Sequence, residues 1–478
     1  MDRQTLSNYG WLVMVTLILA VMLAFATPFG TYVGDGVVSV ANGIVGTSND
    51  ATAEENISQE SVEWAVKTDH GIDYNTFKYY SNLEDAVEAV NNNNYIGASS
   101  KLKNNNVVVG ISKDGNAPVI RLVRNTKIIS EKTITSNLII DLNNFTLELN
   151  EFAISLETNA KVNIVNGKIN KMVTNADSVR WAIILIENSL LKMDNVNVSL
   201  INTSQQASAI FYVKPNGSQT LELNDCYLNS KGDIGQINGD NTSRIYNIAS
   251  SNNTANIKLY NTESHVTGAM GYNIYFFKSS MLTIDNCNIS FTEMGKVGTS
   301  DNWTSYTIAI QTAMAVVNNS NITMNSPYSN STSAFCISNN NATAKITNST
   351  IKSNTVKDSS DRNFSYALQV RYGAVADVEN CNLLVDASCT QTSTVRCQAG
   401  GIANIKNCKC ITKFDISCKE RNDMYYGHSL VSNGTDINQI HISDSYVEGE
   451  FCVYTPSNDI FTEENITYNA TNRIYFYS

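Results

Sequence analysis

The octapeptide LTIDNCNI, residues 282–289, holds the pattern that decides the fold. Its first apolar residues lie two positions apart, as they do in a strand that buries one face, and Asn286 then interrupts this alternation. Two rival interpretations come from its neighbours, because Cys287 is a potential nucleophile and Asn288 begins a glycosylation sequon. The recurrence of the pattern elsewhere in the chain decides among these interpretations.

The pattern apolar-x-apolar-x-(Asn/Asp)-x-x-apolar recurs, with small deviations, along most of the chain. The copies are IDLNNFTL (140–147), VNIVNGKI (162–169), LKMDNVNV (191–198), LELNDCYL (221–228), IKLYNTES (257–264), LTIDNCNI (282–289), AVVNNSNI (315–322), AKITNSTI (344–351), ADVENCNL (376–383), ANIKNCKC (403–410) and IHISDSYV (440–447). The shared polar position falls at Asn144, Asn166, Asn195, Asp225, Asn261, Asn286, Asn319, Asn348, Asn380, Asn407 and Asp444. The spacing varies between 22 residues (144 to 166) and 37 residues (407 to 444). A constant core with a variable period indicates stacked repeats whose insertions enter loops.

Asparagine at the shared position suits a tight corner between two strands. It tolerates the left-handed backbone conformation, and its side-chain amide can bond to the amides above and below at a strand spacing of about 4.8 Å. The eleven positions are therefore predicted to form a structural ladder. A second apolar stretch precedes the motif, for example WAIILIE (181–187) and YALQVRY (366–372). Each repeat thus supplies about three short strands.

These repeats resemble the right-handed parallel β-helix of pectate-lyase-like proteins over roughly residues 105–478. The opening segment DLNNFTL (141–147) is similar to one that begins the coil in large surface or secreted proteins of anaerobic gut bacteria. The resemblance implies an all-β, right-handed, single-stranded parallel β-helix of about eleven coils. It implies no particular activity, because one fold supports many functions.

The first 34 residues differ from the rest. Between Arg3 and Asp35 no residue is charged, and WLVMVTLILAVMLAFA (11–26) is long enough, with its flanks, for an apolar helix that spans a membrane. The segment is interpreted as a signal peptide or a membrane anchor, since Ala24-Phe25-Ala26 offers a cleavage site. Residues 35–56 are then a polar linker.

The same leader also resembles those of Flp-type or type IV prepilins. A short polar leader ends at Gly10 and an apolar helix follows at once, but Val15 occupies the place of the usual glutamate. A pilin-like filament subunit is therefore kept as one alternative.

Residues 57–104 are predicted to form a small α/β capping module. Leu83, Ala86, Val87 and Val90 have helical spacing within a helix predicted over 81–93, and acidic residues occupy its first turn. The apolar stripe of this helix would cover the first strands of the β-helix.

The composition limits the possible partners. Charged residues make up 16% of the 478 residues, the net charge is −11, and no long run of basic residues occurs. Nucleic acid is therefore excluded as a partner. A membrane partner is expected only through the N-terminal helix.

The positions of the cysteines indicate a role in packing rather than in catalysis or metal binding. Four of the ten, at Cys226, Cys287, Cys381 and Cys408, follow the ladder position, where other copies have Ser, Thr or Val. A position that accepts these residues selects a small side chain. No CxxC pair occurs and no metal site is predicted, while one or two disulfides among the C-terminal cysteines stay possible.

Catalytic signals are weak. The carboxylate and basic motifs that the resemblance to polysaccharide lyases and galacturonases would imply are absent from the chain. His428 is interpreted as a solvated turn residue, and Asp358 and Asp361 as parts of a loop. We therefore expect no enzyme and no cofactor, although carboxylates from adjacent coils could still form a site; calcium is expected only if the protein is a lyase.

Aromatic residues give the better functional prediction. Many lie in or beside the first strand of successive repeats, where flat rings suit stacking on sugars. The predicted carbohydrate-binding residues are Tyr272, Tyr275, Trp303, Tyr306, Tyr366 and Tyr372. The alternative is that about half of these rings point into the core.

Three classes of function follow. The first is a non-enzymatic adhesin or glycan-binding stalk, extracellular and secreted, surface-bound or membrane-anchored, with cell-surface or dietary glycans or a protein as partner. The second is a divergent polysaccharide lyase or glycoside hydrolase, and the third is the pilin-like subunit. A cleft with carboxylates from adjacent coils beside a basic residue would favour the second class.

Overall fold

The computed structural model describes nineteen segments of the chain. They are residues 78–95, 106–112, 117–175, 178–204, 206–232, 244–250, 254–269, 271–277, 280–294, 304–311, 313–326, 331–355, 364–387, 391–414, 428–433, 439–449, 451–455, 461–469 and 472–476. All lie in Glu60–Ser478, the second of two units into which the chain divides. The predicted signal or anchor segment and the linker fall outside these segments. Within them no helix is long and apolar enough to cross a membrane.

The described residues are nearly all in parallel strands, which stack in three long arrays. The chain passes from array to array in a constant order, and each strand pairs with its equivalent one repeat later. This all-β arrangement is consistent with a parallel β-helix, as predicted. We name the arrays Face 1, Face 2 and Face 3.

Face 1 precedes the asparagine corner and Face 2 follows it. Face 1 consists of Leu138–Asp141, Lys161–Val173, Leu190–Asn202, Thr220–Asn224, Asn256–Tyr260, Met281–Asp285, Met314–Asn318, Thr343–Thr347, Val375–Glu379, Ile402–Lys406, Gln439–Ser443 and Phe461–Glu464. Face 2 consists of Thr126–Lys127, Thr146–Asn150, the two long strands of Face 1 that continue through the corner, Tyr227–Gly232, Glu263–Gly268, Asn288–Glu293, Asn321–Ser326, Thr350–Thr355, Asn382–Ala387, Lys409–Phe414, Tyr446–Glu448 and Thr467–Asn469.

Face 3 is a separate sheet of 13 parallel strands. Its strands are Lys132–Ile134, Ile154–Leu156, Trp181–Leu185, Ser208–Val213, Ile245–Ser250, Gly271–Phe277, Thr304–Gln311, Ser331–Ser338, Phe364–Arg371, Gln391–Gln398, His428–Asn433, Phe451–Thr455 and Asn472–Phe476. Apolar side chains from all three faces meet in one continuous core.

The first strands are antiparallel and are accompanied by the one helix of the described residues, Leu83–Asn91. Strands Lys78–Tyr80, Val107–Ile111 and Pro118–Leu122 pair in that order, and the last of them pairs in parallel with Face 1. The Asn82 side chain caps the helix by accepting a hydrogen bond from the Asp85 amide at 2.7 Å. The predicted apolar stripe of the helix is buried in the core.

The left-handed conformation occurs at every predicted ladder position. All eleven residues have φ between 47° and 64°. A further corner, Asn465 with φ 54°, continues the series beyond Asp444. The sequence pattern missed it because Glu463 occupies the place of the second apolar residue.

The ladder side chains join in pairs. The Asn286 amide donates to Asn261 Oδ1 at 2.7 Å, and the Asn407 amide donates to Asn380 Oδ1 at the same distance. Two longer links join Asn195 to Asn166 at 3.3 Å and Asn465 to Asp444 at 3.1 Å. The Asn348 amide turns to Asn318 Oδ1 instead, at 3.0 Å. The common property of the corners is thus their backbone conformation, and the side-chain bonds vary.

The residue after each corner from Asn195 to Asp444 forms a second column, which we name the inner spine. It comprises Val196, Cys226, Thr262, Cys287, Ser320, Ser349, Cys381, Cys408 and Ser445, all of which are buried.

Within the inner spine, backbone amides donate to the side chain one repeat further on. Cys287 N donates to Ser320 Oγ at 3.0 Å, Ser320 N to Ser349 Oγ at 3.1 Å, and Cys408 N to Ser445 Oγ at 3.0 Å. Except at Val196, these positions therefore hold an acceptor atom as well as a small side chain, which explains why Cys, Ser and Thr exchange there.

We predict that the corner backbone contributes more to stability than the corner amide. Asn286→Ala should lower the free energy of unfolding by about 1–2 kcal/mol, because an alanine is strained at positive φ. Asn286→Gly loses the same amide without that strain, so its loss should be smaller. Denaturant unfolding of the full chain measures both, and equal losses would show that the side-chain bond dominates instead.

The inner spine gives a second prediction. Ser320→Ala should cost about 1–3 kcal/mol, because the buried amide of Cys287 loses its acceptor. Ser320→Cys keeps an acceptor atom of the kind that neighbouring repeats use, so it should cost less than half as much. A Ser320→Ala protein as stable as Ser320→Cys in the same unfolding experiment would contradict a role for the hydroxyl.

Candidate functional site

The outer side of Face 3 has its own apolar cluster, separate from the core. We name this cluster the outer stripe; it comprises Trp181, Ala207, Ala209, Tyr212, Tyr246, Ala249, Tyr272, Tyr275, Tyr306, Ala309 and Cys336. Strand register aligns Tyr246, Tyr272 and Tyr306 in one column. Parallel pairing therefore repeats aromatic rings on the outside of the sheet.

Two rings three positions apart both belong to the outer stripe. The Tyr272 and Tyr275 centroids are 4.4 Å apart. Between them Asn273 turns inward, where its amide donates to the Ser264 and Ser290 carbonyls of Face 2 at 2.7 and 2.8 Å, and Ile274 joins the core. Two consecutive inward residues thus break the simple alternation of a strand.

The rings of the outer stripe stack across neighbouring strands. The Trp181 and Tyr212 centroids are 4.4 Å apart with an interplanar angle of 11°. The Tyr272 ring lies between those of Tyr246 and Tyr306, 5.6 Å from each. These centroid distances and small interplanar angles are those of favourable aromatic pairs.

The predicted carbohydrate-binding residues differ in accessibility. Tyr272, Tyr306 and Tyr366 are only 7%, 9% and 2% exposed, and burial raises the pKa of Tyr272 to about 12. Tyr275 is half-buried and Tyr372 is 46% exposed.

Trp303 falls outside the described residues. Trp181 and Tyr212, which the sequence prediction omitted, are half-buried and form the most accessible stacked pair.

Arginines accompany these rings. The guanidinium of Arg180 lies 5.3 Å from the Trp181 ring and that of Arg244 lies 5.9 Å from the Tyr272 ring. Arg371 and Arg396 lie 4.8 Å from the rings of Tyr372 and Tyr366, respectively. These are cation–π distances.

The strands of Face 3 contain no aspartate or glutamate. In contrast, Lys192 and Lys258 on Face 1 both form ion pairs with Glu222. The outer side of Face 3 is therefore a basic and aromatic surface on a chain whose net charge is −11.

A concave region lies on the outer side of Face 1, near its C-terminal end. The groove is about 450 Å³ and includes the charged or ionisable side chains of Asp377, Glu379, Lys406, His441, Glu463 and Glu464. Lys406 Nζ is 3.9 Å from Glu379 Oε1, and His441 Nδ1 is 2.6 Å from Thr462 Oγ1. Among the described residues no group of three potential ligands could hold a metal ion. Asp358 and Asp361 are not among those residues, and the His428 side chain is not described.

The described cysteines form no site of their own. Seven of them are buried free thiols. Burial raises the pKa of Cys287 to about 11 and that of Cys226 to about 12. Because the thiolate is the reactive form, Cys226 and Cys287 are unreactive at neutral pH.

No family model matches the chain, and no curated protein is similar enough to count as a match. Any function must therefore be inferred from the geometry of the outer stripe and of the Face 1 groove.

The buried cysteine of the opening octapeptide gives a prediction. Alkylation at pH 8, mapped by mass spectrometry, should modify Cys287 in the unfolded chain and leave it unmodified in the native protein. Its pKa is raised above the ordinary value of 9.0. The contribution of this buried, neutral thiol to the stability of the fold is therefore complete below pH 9 and is lost as the pH rises towards 11. Rapid native modification at pH 8 would contradict this assignment.

Proposed function

We propose that the protein is an extracellular, non-enzymatic glycan-binding protein of the cell surface. Its right-handed β-helix of about eleven coils would serve as a rigid stalk, held at the membrane by the apolar N-terminal segment. The observation that carries the proposal is the row of stacked rings on the outer side of Face 3.

The arrangement of the rings favours a role in sugar binding over a role as a second hydrophobic core. Trp181 and Tyr212 present a stacked and accessible pair, and the half-buried Tyr275 extends the same surface. The buried rings of Tyr272 and Tyr306 stiffen the row from within. A rigid aromatic surface loses little entropy when a flat sugar ring stacks on it.

A glycan array with the full chain in mild detergent tests the proposal. The native protein should bind a subset of the glycans, and Trp181→Ala should lower the affinity by about threefold to tenfold, as expected for loss of a ring contact of about 0.5–1.5 kcal/mol. Met314→Ala is the matched control, because it removes an exposed apolar side chain from Face 1. Absence of glycan binding, or equal effects of both variants, would contradict the proposal.

A second candidate function rests on the Face 1 groove. Its carboxylates lie on two strands, Val375–Glu379 and Phe461–Glu464, and Lys406 on the strand next to the first lies beside Glu379, so a divergent polysaccharide lyase or hydrolase is the second candidate. Formation of unsaturated product from polygalacturonate with added calcium, or of reducing ends from a neutral polysaccharide, would favour this candidate. Such activity should disappear in Lys406→Gln or Glu379→Gln and persist in Trp181→Ala. An inactive native protein would favour the binding function.

A further inference from the structure

Three polar side chains meet at the C-terminal part of Face 3, next to the outer stripe. Strand register places Gln369 beside Arg396 on the next strand, and Arg371 beside Gln398. Arg371 follows Gln369 by two positions and so projects from the same side of the strand. Gln369 is therefore the common neighbour of two arginines from adjacent strands.

Aromatic side chains position both guanidinium groups. Arg371 Nη2 donates to the Tyr372 hydroxyl at 2.9 Å, and Arg396 Nη1 donates to the Tyr366 hydroxyl. Each guanidinium also lies over the ring of the same tyrosine. These contacts fix the side chains without neutralising their charge.

Three polar atoms of the cluster lack partners. The Nε atoms of Arg371 and Arg396 and Oε1 of Gln369 are buried without a hydrogen bond. Gln369 is 1% exposed and Arg396 is 9% exposed. Within the described segments, no carboxylate forms an ion pair with either arginine. Buried groups of this kind are costly unless a ligand satisfies them.

We propose that Arg371, Gln369 and Arg396 form a binding site for a sulfate ester carried by a sugar ring, an inference that rests on the proposed glycan-binding function. A sulfate ester has three terminal oxygens, so two arginines can donate to it at once, whereas one arginine already satisfies a carboxylate in the bidentate manner. A neighbouring sugar hydroxyl donates to Gln369 Oε1. Tyr372, which is 46% exposed, is the ring on which the sugar stacks.

The test compares ligands that differ only in sulfation. Titration calorimetry with the full chain should show binding of dextran sulfate, much weaker binding of unsulfated dextran, and weakening by added salt. Polygalacturonate serves as the carboxylate-bearing polyanion and should bind at least about tenfold more weakly than dextran sulfate. Because the net charge of the protein is −11, general attraction to polyanions does not favour binding.

Two variants assign the binding to this site. The double substitution Arg371→Gln and Arg396→Gln should weaken dextran sulfate binding at least about tenfold. The control, Lys192→Gln with Lys258→Gln, makes the same change of net charge on Face 1 and should bind normally. Gln369→Glu is nearly isosteric, and its carboxylate would pair with the arginines and abolish binding while the fold stays stable. The Gln369→Glu variant still tests the sulfate site if the double variant fails to fold.

The outcomes separate this inference from the proposed function. Unchanged dextran sulfate binding in Gln369→Glu, or equal loss in the lysine control, would overturn the sulfate site. Failure to bind dextran sulfate while array glycans still bind through Trp181 would overturn the site and leave the proposed function intact. Arginine-dependent sulfate binding in a protein that binds no array glycan would overturn the proposed function alone.

Discussion

The left-handed corner between Face 1 and Face 2 is the constraint on which the structure depends. An asparagine or aspartate with positive φ lies at each corner that leads from Face 1 into Face 2, from Leu138–Asp141 onward, and the two long strands continue through this corner. These residues tolerate that conformation better than others with side chains. Because the turn is the same in each repeat, equivalent strands superimpose and pair in parallel, and the register shifts between Glu148 and Asn150 where Thr146–Asn150 pairs with Lys161–Val173. Register of this kind is what lets single columns of side chains run through many repeats.

The inner spine is a consequence of this register. Once the corners superimpose, the backbone amide that follows each corner lies beneath the side chain of the next repeat, as between Cys287 and Ser320. The core can therefore satisfy a buried amide with a thiol or a hydroxyl. This explains how a chain can hold buried cysteines at regular intervals without using them for chemistry. Burial itself raises the pKa of the Cys226 and Cys287 thiols.

Face 3 differs from the other two faces in its composition and in the alternation of its side chains. Its strands have no acidic residue, and consecutive inward residues such as Asn273 and Ile274 leave tyrosines three positions apart on the outer side. Stacked rings, and arginines whose guanidinium groups lie over rings, therefore occur on successive strands of Face 3. Faces 1 and 2 place mixed charges and amides outside, where they form ordinary solvated ion pairs and ladders. The chemical asymmetry of the stack therefore points to Face 3 as the surface that meets a partner.

The repeat and its corner could be predicted from the amino-acid sequence. The spacing of apolar residues around Asn286 and its equivalents depends only on local backbone preference and on alternation along one strand, and neighbouring residues show both. This pattern does not extend to Asn465, because Glu463 breaks it there. The accessibility of the Face 3 rings, in contrast, depends on the tertiary structure, since Tyr272 and Tyr275 are covered to different degrees. The tertiary structure alone joins Gln369 to Arg396, because contact between residues 27 positions apart depends on the length of each insertion and on the register that the corners impose.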